Sequence, residues 1–155
     1  MDDLELRVPP VLALVLMAVA AWGLSLFDWR IAVFASTNAT RFLAAISFVA
    51  GVGFSFGGIV AFRRARTTVS PTSPGAASTL VSSGVYRITR NPMYVGMALI
   101  LFAWAVSLGS WLSQLSVAAF VAYISRFQIR PEELALSETF GADYEDYRRR
   151  VRRWL

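Results

Sequence analysis

Residues 93–124 read MYVGMALILFAWAVSLGSWLSQLSVAAFVAYI, an apolar run with no Lys, Arg, His, Asp or Glu. As one helix it would be roughly 48 Å long at 1.5 Å per residue, well beyond a hydrocarbon core of about 30 Å. Gly109 and Ser110 stand near its middle, and such a pair can break a helix. The run therefore reads as a helical hairpin, with one arm over about 93–108 and a returning arm over about 112–129. Both arms are short for a bilayer, and local thinning of the membrane or partial spanning accommodates that.

Two further apolar blocks precede the hairpin. The first covers about 9–27, with Pro9 and Pro10 suited to its first turn. Trp22, Phe27 and Trp29 stand near its far end, where an aromatic belt would lie. The second covers about 42–62 and contains Gly51, Gly53, Gly57 and Gly58. Gly53 and Gly57 form a GxxxG, and with Ser55 these small residues predict close helix packing. The expected fold class is thus all-α, an integral membrane bundle of about four transmembrane helices in a single domain over 1–155. The polar stretch 63–91, with Pro71, Pro74 and Gly75, reads as a structured loop over the membrane surface.

The tail, 131–155, is amphipathic. Tyr144, Tyr147, Val151 and Trp154 recur at helical spacing, and Arg148, Arg149, Arg150, Arg152 and Arg153 surround that stripe. This pattern predicts an interfacial helix against anionic lipid.

Composition narrows the chemistry. The chain of 155 residues is 56% hydrophobic, its 15 basic residues are all Arg, and it has neither Cys nor His. Disulfides, thiolate nucleophiles, imidazole bases and nearly every zinc site are excluded. The net charge of +5 is carried by Arg residues that flank apolar blocks, so lipid headgroups are the expected counter-charge and nucleic acid is not an expected partner. The acidic start, Asp2, Asp3 and Glu5, does not resemble a cleavable signal peptide. With four spans, every Arg except Arg30 and Arg41 falls on one side. The positive-inside rule places that side, with both termini and the long loop, in the cytoplasm. The expectation is a multi-pass protein of a bacterial inner membrane.

Two segments on that side carry polar residues worth a chemical reading. In the first, Tyr86, Arg87, Arg90 and Tyr94 surround Asn91-Pro92. Asn91 and Pro92 alone mark a helix start. A helix N-terminus beside two guanidiniums is also an anion site, or the arginines simply anchor to headgroups. In the second, Pro131 precedes Glu132 and Glu133, again a helix start with carboxylates at its positive end. If a helix runs through Pro131, Arg126, Arg130 and Glu133 share one face. Ionisable groups at a membrane edge invite a functional reading.

Together these segments carry a resemblance. Gly84-Val85-Tyr86-Arg87, then Arg90-Asn91-Pro92-Met93-Tyr94-Val95-Gly96, a short hairpin, Glu132-Glu133, Phe140-Gly141, Tyr144, Tyr147 and Val151 resemble the isoprenylcysteine carboxyl methyltransferases and their phospholipid methyltransferase relatives. The likeness covers roughly 60–155. It implies a membrane-embedded methyltransferase that uses S-adenosylmethionine and a lipophilic or lipidated acceptor reaching the donor from within the bilayer. By that likeness Tyr86, Arg90, Asn91, Tyr94, Glu132 and Glu133 are the cofactor candidates, and Arg87 and Arg126 are candidates for orienting an acidic acceptor. Eukaryotic members usually carry His where this chain has Asn91, which hydrogen-bonds but does not titrate.

Such chemistry runs without His or Cys. A sulfonium donor leaves as a neutral thioether, so positioning and water exclusion are the main requirements. A carboxylate acceptor is already deprotonated at pH 7, Arg can hold it by a bidentate pair, and tyrosine faces such as Tyr86, Tyr94 or Tyr144 can cradle a cation. An amine acceptor must lose a proton, and only carboxylates or water are at hand. Carboxyl methylation is therefore preferred, with phospholipid-type amine methylation and a non-catalytic lipid-binding scaffold as alternatives. A channel would place ionisable residues within the spans, and 42–62 and 93–124 hold none. Oligomeric state is open.

Overall fold

The computed structural model describes residues 8–27, 37–65 and 79–155, and every regular element in them is helical. Helix α1 covers Pro10–Ser25 and α2 covers Asn38–Arg64. A single 3-10 turn, Gly84–Arg87, leads to α3, Pro92–Ser107. The chain then runs through α4 (Gln114–Ile124), a π-helical turn (Ser125–Ile129) and α5 (Arg130–Phe140) before ending in α6 (Ala142–Arg150). Arg7, Trp29, Arg30 and the 71–75 turn cluster lie outside the described residues, as do residues 66–78 of the surface loop read over 63–91.

The hairpin forms where the sequence places it. Gly109 has φ +68°, a backbone conformation that costs glycine nothing and other residues about 1–2 kcal/mol. Ser113 donates through Oγ to the Ala21 carbonyl at 2.7 Å, and Trp104 donates through Nε1 to the Ala18 carbonyl at 3.0 Å. The hairpin tip is thereby fastened to the far end of α1.

Helices α2 and α3 make the most extensive contact in the molecule. A Cβ at Gly51 would lie 2.7 Å from the Gly96 carbonyl oxygen, and one at Gly58 would lie 2.7 Å from the Met93 side chain. Gly51, Ser55 and Gly58 on α2 thus face α3, and Gly57 faces Val85. The small-residue packing expected of α2 is present, but Gly53, half of the GxxxG, touches nothing. A period of 3.6 puts positions 51, 55 and 58 on one stripe, and Gly53 falls outside it.

The returning arm differs from its expected form. The chain does not stop near 129 and restart at Pro131; Pro131 occupies the first turn of α5, where its missing N–H is tolerated. The π-turn absorbs the extra residue in the helical ladder, so the helix runs from α4 through α5. That rotation separates the predicted face: Glu133 is buried while Arg130 is exposed.

The core joins α1, α3, α4 and the π-turn through Ala13, Tyr94, Leu101, Phe120, Ile124 and Ile129. Gln128 on the π-turn donates to the Val8 carbonyl at 2.8 Å, and Phe62 near the end of α2 packs edge-on against Tyr86. The start of α1, the end of α2, the start of α3 and the π-turn therefore meet at one end of the bundle, opposite the hairpin tip. By length and composition, α2 is the one described helix able to cross a membrane, while α1 and α3 are shorter apolar helices of 16 residues each.

Candidate functional site

At that end, the 3-10 turn, the first turn of α3, α5, α6 and the C-terminal residues converge. Arg90 is the hub. Its Nη2 donates to Glu133 Oε1 at 2.6 Å, and its Nη1 donates to the carbonyls of Val151 (2.9 Å) and Arg148 (3.0 Å). Its side chain is 9% exposed and its Nε is buried without a partner.

Glu133 is held from a second side. Arg153 donates Nε to Oε1 at 3.1 Å and Nη2 to Oε2 at 2.5 Å, a two-point fork. Burial alone would raise the Glu133 carboxyl, but the hydrogen bonds and charges of Arg153 and Arg90 outweigh it and hold the group below its ordinary value.

Glu132 lies in the opposite environment. Its Oε1 accepts a hydrogen bond from the Tyr94 hydroxyl at 2.5 Å. Burial, opposed by that bond and reinforced by the neighbouring Glu133 charge, pushes it up to about 7. Adjacent carboxylates whose environments drive them apart are a recurrent feature of sites that handle charge or protons.

Tyrosines wall the site. Tyr144 is 1% exposed and burial pushes its hydroxyl up to about 12. Tyr147 donates its hydroxyl to the Tyr86 carbonyl at 2.8 Å, tying α6 to the 3-10 turn. The stripe expected to lie on lipid is therefore turned into the protein: Tyr144 and Tyr147 are buried. Val151 is extended (φ −123°, ψ 133°), so the helix ends at Arg150 and does not carry the stripe to Trp154. The physical reason is that both rings are buried against protein and the Tyr147 hydroxyl is satisfied by the Tyr86 carbonyl of the 3-10 turn.

Of the predicted residues, the fold brings Arg90, Asn91, Tyr94, Glu132 and Glu133 together and seats Tyr86 beside them. Asn91 stands at the helix start but its side chain makes no cap; its Nδ2 donates to the Arg153 carbonyl at 2.9 Å. Arg87 is exposed on the 3-10 turn. Arg126, on the π-turn, lies over the Phe127 ring at 5.3 Å. Sequence reasoning placed Arg153 and Tyr147 in the amphipathic tail and did not make them, or Thr89, site candidates. Thr89 and Arg152 form an isolated parallel bridge, a pairing that leaves no periodic trace in so short a segment.

The sequence model of the phospholipid methyltransferase family matches residues 39–143. The chain belongs to the phospholipid methyltransferase family. That family is one of membrane-associated methyltransferases. An uncharacterized protein of Haemophilus influenzae is 46% identical over 63 residues, 41% of this chain and all of that protein. The probable protein-S-isoprenylcysteine O-methyltransferase of Oryza sativa subsp. indica is 38% identical over 76 residues, 46% of this chain. The protein-S-isoprenylcysteine O-methyltransferase of Schizosaccharomyces pombe is 33% identical over 103 residues, 64% of this chain. The chain spans only 38% of the length of each of those two enzymes. No solved structure matches it.

Proposed function

We propose that this family member transfers a methyl group from S-adenosylmethionine to a lipophilic acceptor at the cytoplasmic edge of a bacterial inner membrane. The observation that carries the proposal is the pairing of Glu132 with Tyr94 beside a Glu133 already neutralised by two arginines. That arrangement suits the cofactor. A sulfonium and an ammonium call for aromatic faces and an anion, which Tyr86, Tyr94, Tyr144 and Glu132 offer. The cofactor's carboxylate calls for a donor, and the buried Arg90 Nε lacks a partner. When bound, the cofactor supplies an electrophilic methyl whose leaving group is a neutral thioether. The chain's residues then orient it, screen its charge and exclude water.

The membrane reading rests on the whole surface. Val15 and Val19 on α1 and Phe42, Val49 and Phe56 on α2 are more than half exposed, far more apolar surface than a soluble monomer of this size leaves in water. The site lies at the end where the arginines concentrate, and the four helical arms form one domain around it.

We favour a carboxylate acceptor of the isoprenylcysteine type, because the rice and fission yeast relatives are named for that reaction. Arg87 and Arg126 are the arginines outside the Glu133 cluster that would orient it. An amine acceptor is the second reading, and Glu132 favours it: a carboxyl titrating near 7 can take a proton from an ammonium. The test is calorimetric binding of S-adenosylmethionine to the detergent-purified protein and to Glu132→Gln and Tyr94→Phe. Labelled methyl transfer to a prenylcysteine analogue and to phosphatidylethanolamine follows. Micromolar binding, weakened in both variants, is expected; a well-folded wild type that binds none would refute the proposal. Transfer to the amine and not the carboxylate would decide for the second reading.

A further inference from the structure

The last residues of the chain are built into the site. Beyond α6 the backbone lies along 89–91. The Arg90 amide donates to the Arg152 carbonyl at 2.9 Å, and Thr89 Oγ1 donates to the Arg153 carbonyl at 3.1 Å. Asn91 Nδ2 reaches that same carbonyl at 2.9 Å. Arg90 Nη1 holds the Val151 carbonyl, and Trp154 donates Nε1 to Ser125 Oγ at 3.3 Å. Five contacts from two segments, 89–91 and the π-turn, make 151–155 a strap across the first turn of α3. The family match ends at residue 143, short of the strap.

The strap's one ionic contribution to the cluster is Arg153. Its side chain is 42% exposed, yet its fork grips both oxygens of a carboxylate that is only 10% exposed. Without it Glu133 would keep one ionic partner, Arg90, and would be free to rotate. Arg90 also carries two carbonyl bonds of the strap, so a loose Glu133 loosens the hub.

We propose that Arg153 is a positioning residue of the cofactor site: by clamping Glu133 it fixes Arg90 and leaves Glu132 as the one carboxylate of the pair open to a cationic ligand. This rests on the reading of the site as an S-adenosylmethionine site. It separates the two glutamates, since Glu133 serves as a fixed counter-ion and only Glu132 meets the ligand. Glu133 is faced by Arg90 ahead of α3, Arg153 on the strap, Tyr144 on α6 and Glu132 on its own helix. Removing Arg153 leaves burial opposed by Arg90 alone, so the Glu133 carboxyl is driven up, in the same direction as Glu132.

The full chain in detergent tests this with S-adenosylmethionine as the calorimetric probe between pH 5.5 and 8.5. The variants are Arg153→Gln, Arg153→Lys and, as a charge-matched control on the outer face of α6, Arg149→Gln. Thermal unfolding of the ligand-free proteins is followed over the same pH range. Wild type is expected to lose affinity as pH falls with a dependence on one proton, that of Glu132. Arg153→Gln should bind about tenfold or more weakly at pH 7, with a two-proton dependence, while its ligand-free unfolding midpoint gains a matching acid sensitivity. Arg153→Lys should recover only part of the affinity, because a point charge cannot fork both oxygens. Arg149→Gln should match wild type. Binding by Arg153→Gln equal to wild type, or a lower melting temperature with affinity and proton dependence unchanged, would overturn the proposal alone. Absence of binding by folded wild type would overturn it together with the cofactor reading.

Discussion

Glu132 and Glu133 are chemically identical neighbours that the fold treats in opposite ways. Glu133 is lowered by its arginines, so the stability it contributes is present above its ordinary range and is lost as pH falls through its folded value. Glu132 is raised from 4.5 to about 7, so its sign is reversed: the protonated form is favoured in the fold, and stability declines as pH rises from 4.5 through 7. Glu132→Gln should therefore melt higher than wild type at pH 8 and close to it at pH 4.5, as differential scanning fluorimetry would show. Arg90→Ala should behave differently. It takes one of two guanidiniums from the buried Glu133 carboxylate, leaving Arg153, and unties the carbonyls of Arg148 and Val151; a loss below the about 3–5 kcal/mol of a fully broken buried pair is expected. Denaturant titration in mild detergent measures it.

At the scale of elements, two glycines decide how helices meet. A side chain at Gly96 would run into the Gly51 carbonyl and Ser55 on α2. Gly96→Ala must push α2 and α3 apart, at a cost of about 1–3 kcal/mol, and because α3 begins at the site, cofactor affinity should fall with it. Gly53→Ala, with nothing near it, should melt slightly higher, by the about 0.4–1 kcal/mol that alanine gains in a helix interior, and comparing the two by thermal unfolding isolates the contact. Gly141 joins α5 to α6 at φ +51°, ψ −122°, a region essentially restricted to glycine. Gly141→Ala is expected to cost about 1–3 kcal/mol and to displace Tyr144, which binding calorimetry would register as weaker affinity. The apolar helices were legible in the apolar blocks because length and composition suffice to mark them. The continuity of α4 into α5 was not, because a proline at a first helical turn and a proline that ends a helix look alike until the π-turn before it is seen.

For the whole molecule, the bundle has a site end and a hairpin end, and the membrane proposal assigns them to opposite faces. The chain has no cysteine, so single substitutions report sidedness directly. Ser82→Cys near the 3-10 turn should react with an impermeant maleimide only from the cytoplasmic face. Trp111→Cys at the hairpin tip should react only from the other; labelling of both from one face would refute the topology. The tail is where whole-molecule structure changed the reading most. Five arginines around an aromatic stripe describe a lipid-facing helix as well as they describe a strap. Only the docking of Tyr144, Tyr147 and Arg153 onto distant segments separates the two.

The sequence alone determined the helical class, the hairpin break at Gly109, the exclusion of thiol and imidazole chemistry, and the candidates Arg90, Asn91, Tyr94, Glu132 and Glu133. These follow from composition, from apolar length against bilayer thickness, or from local motifs with a family likeness. Tertiary structure alone decided which glutamate is neutralised and which titrates near 7, that Asn91 holds the strap instead of capping its helix, and that Arg153 belongs to the site. Each depends on partners far apart in the chain, 62 residues for Asn91 with Arg153 and 43 for Arg90 with Glu133. Charge and burial act through space, and no local pattern records which distant group will be the neighbour.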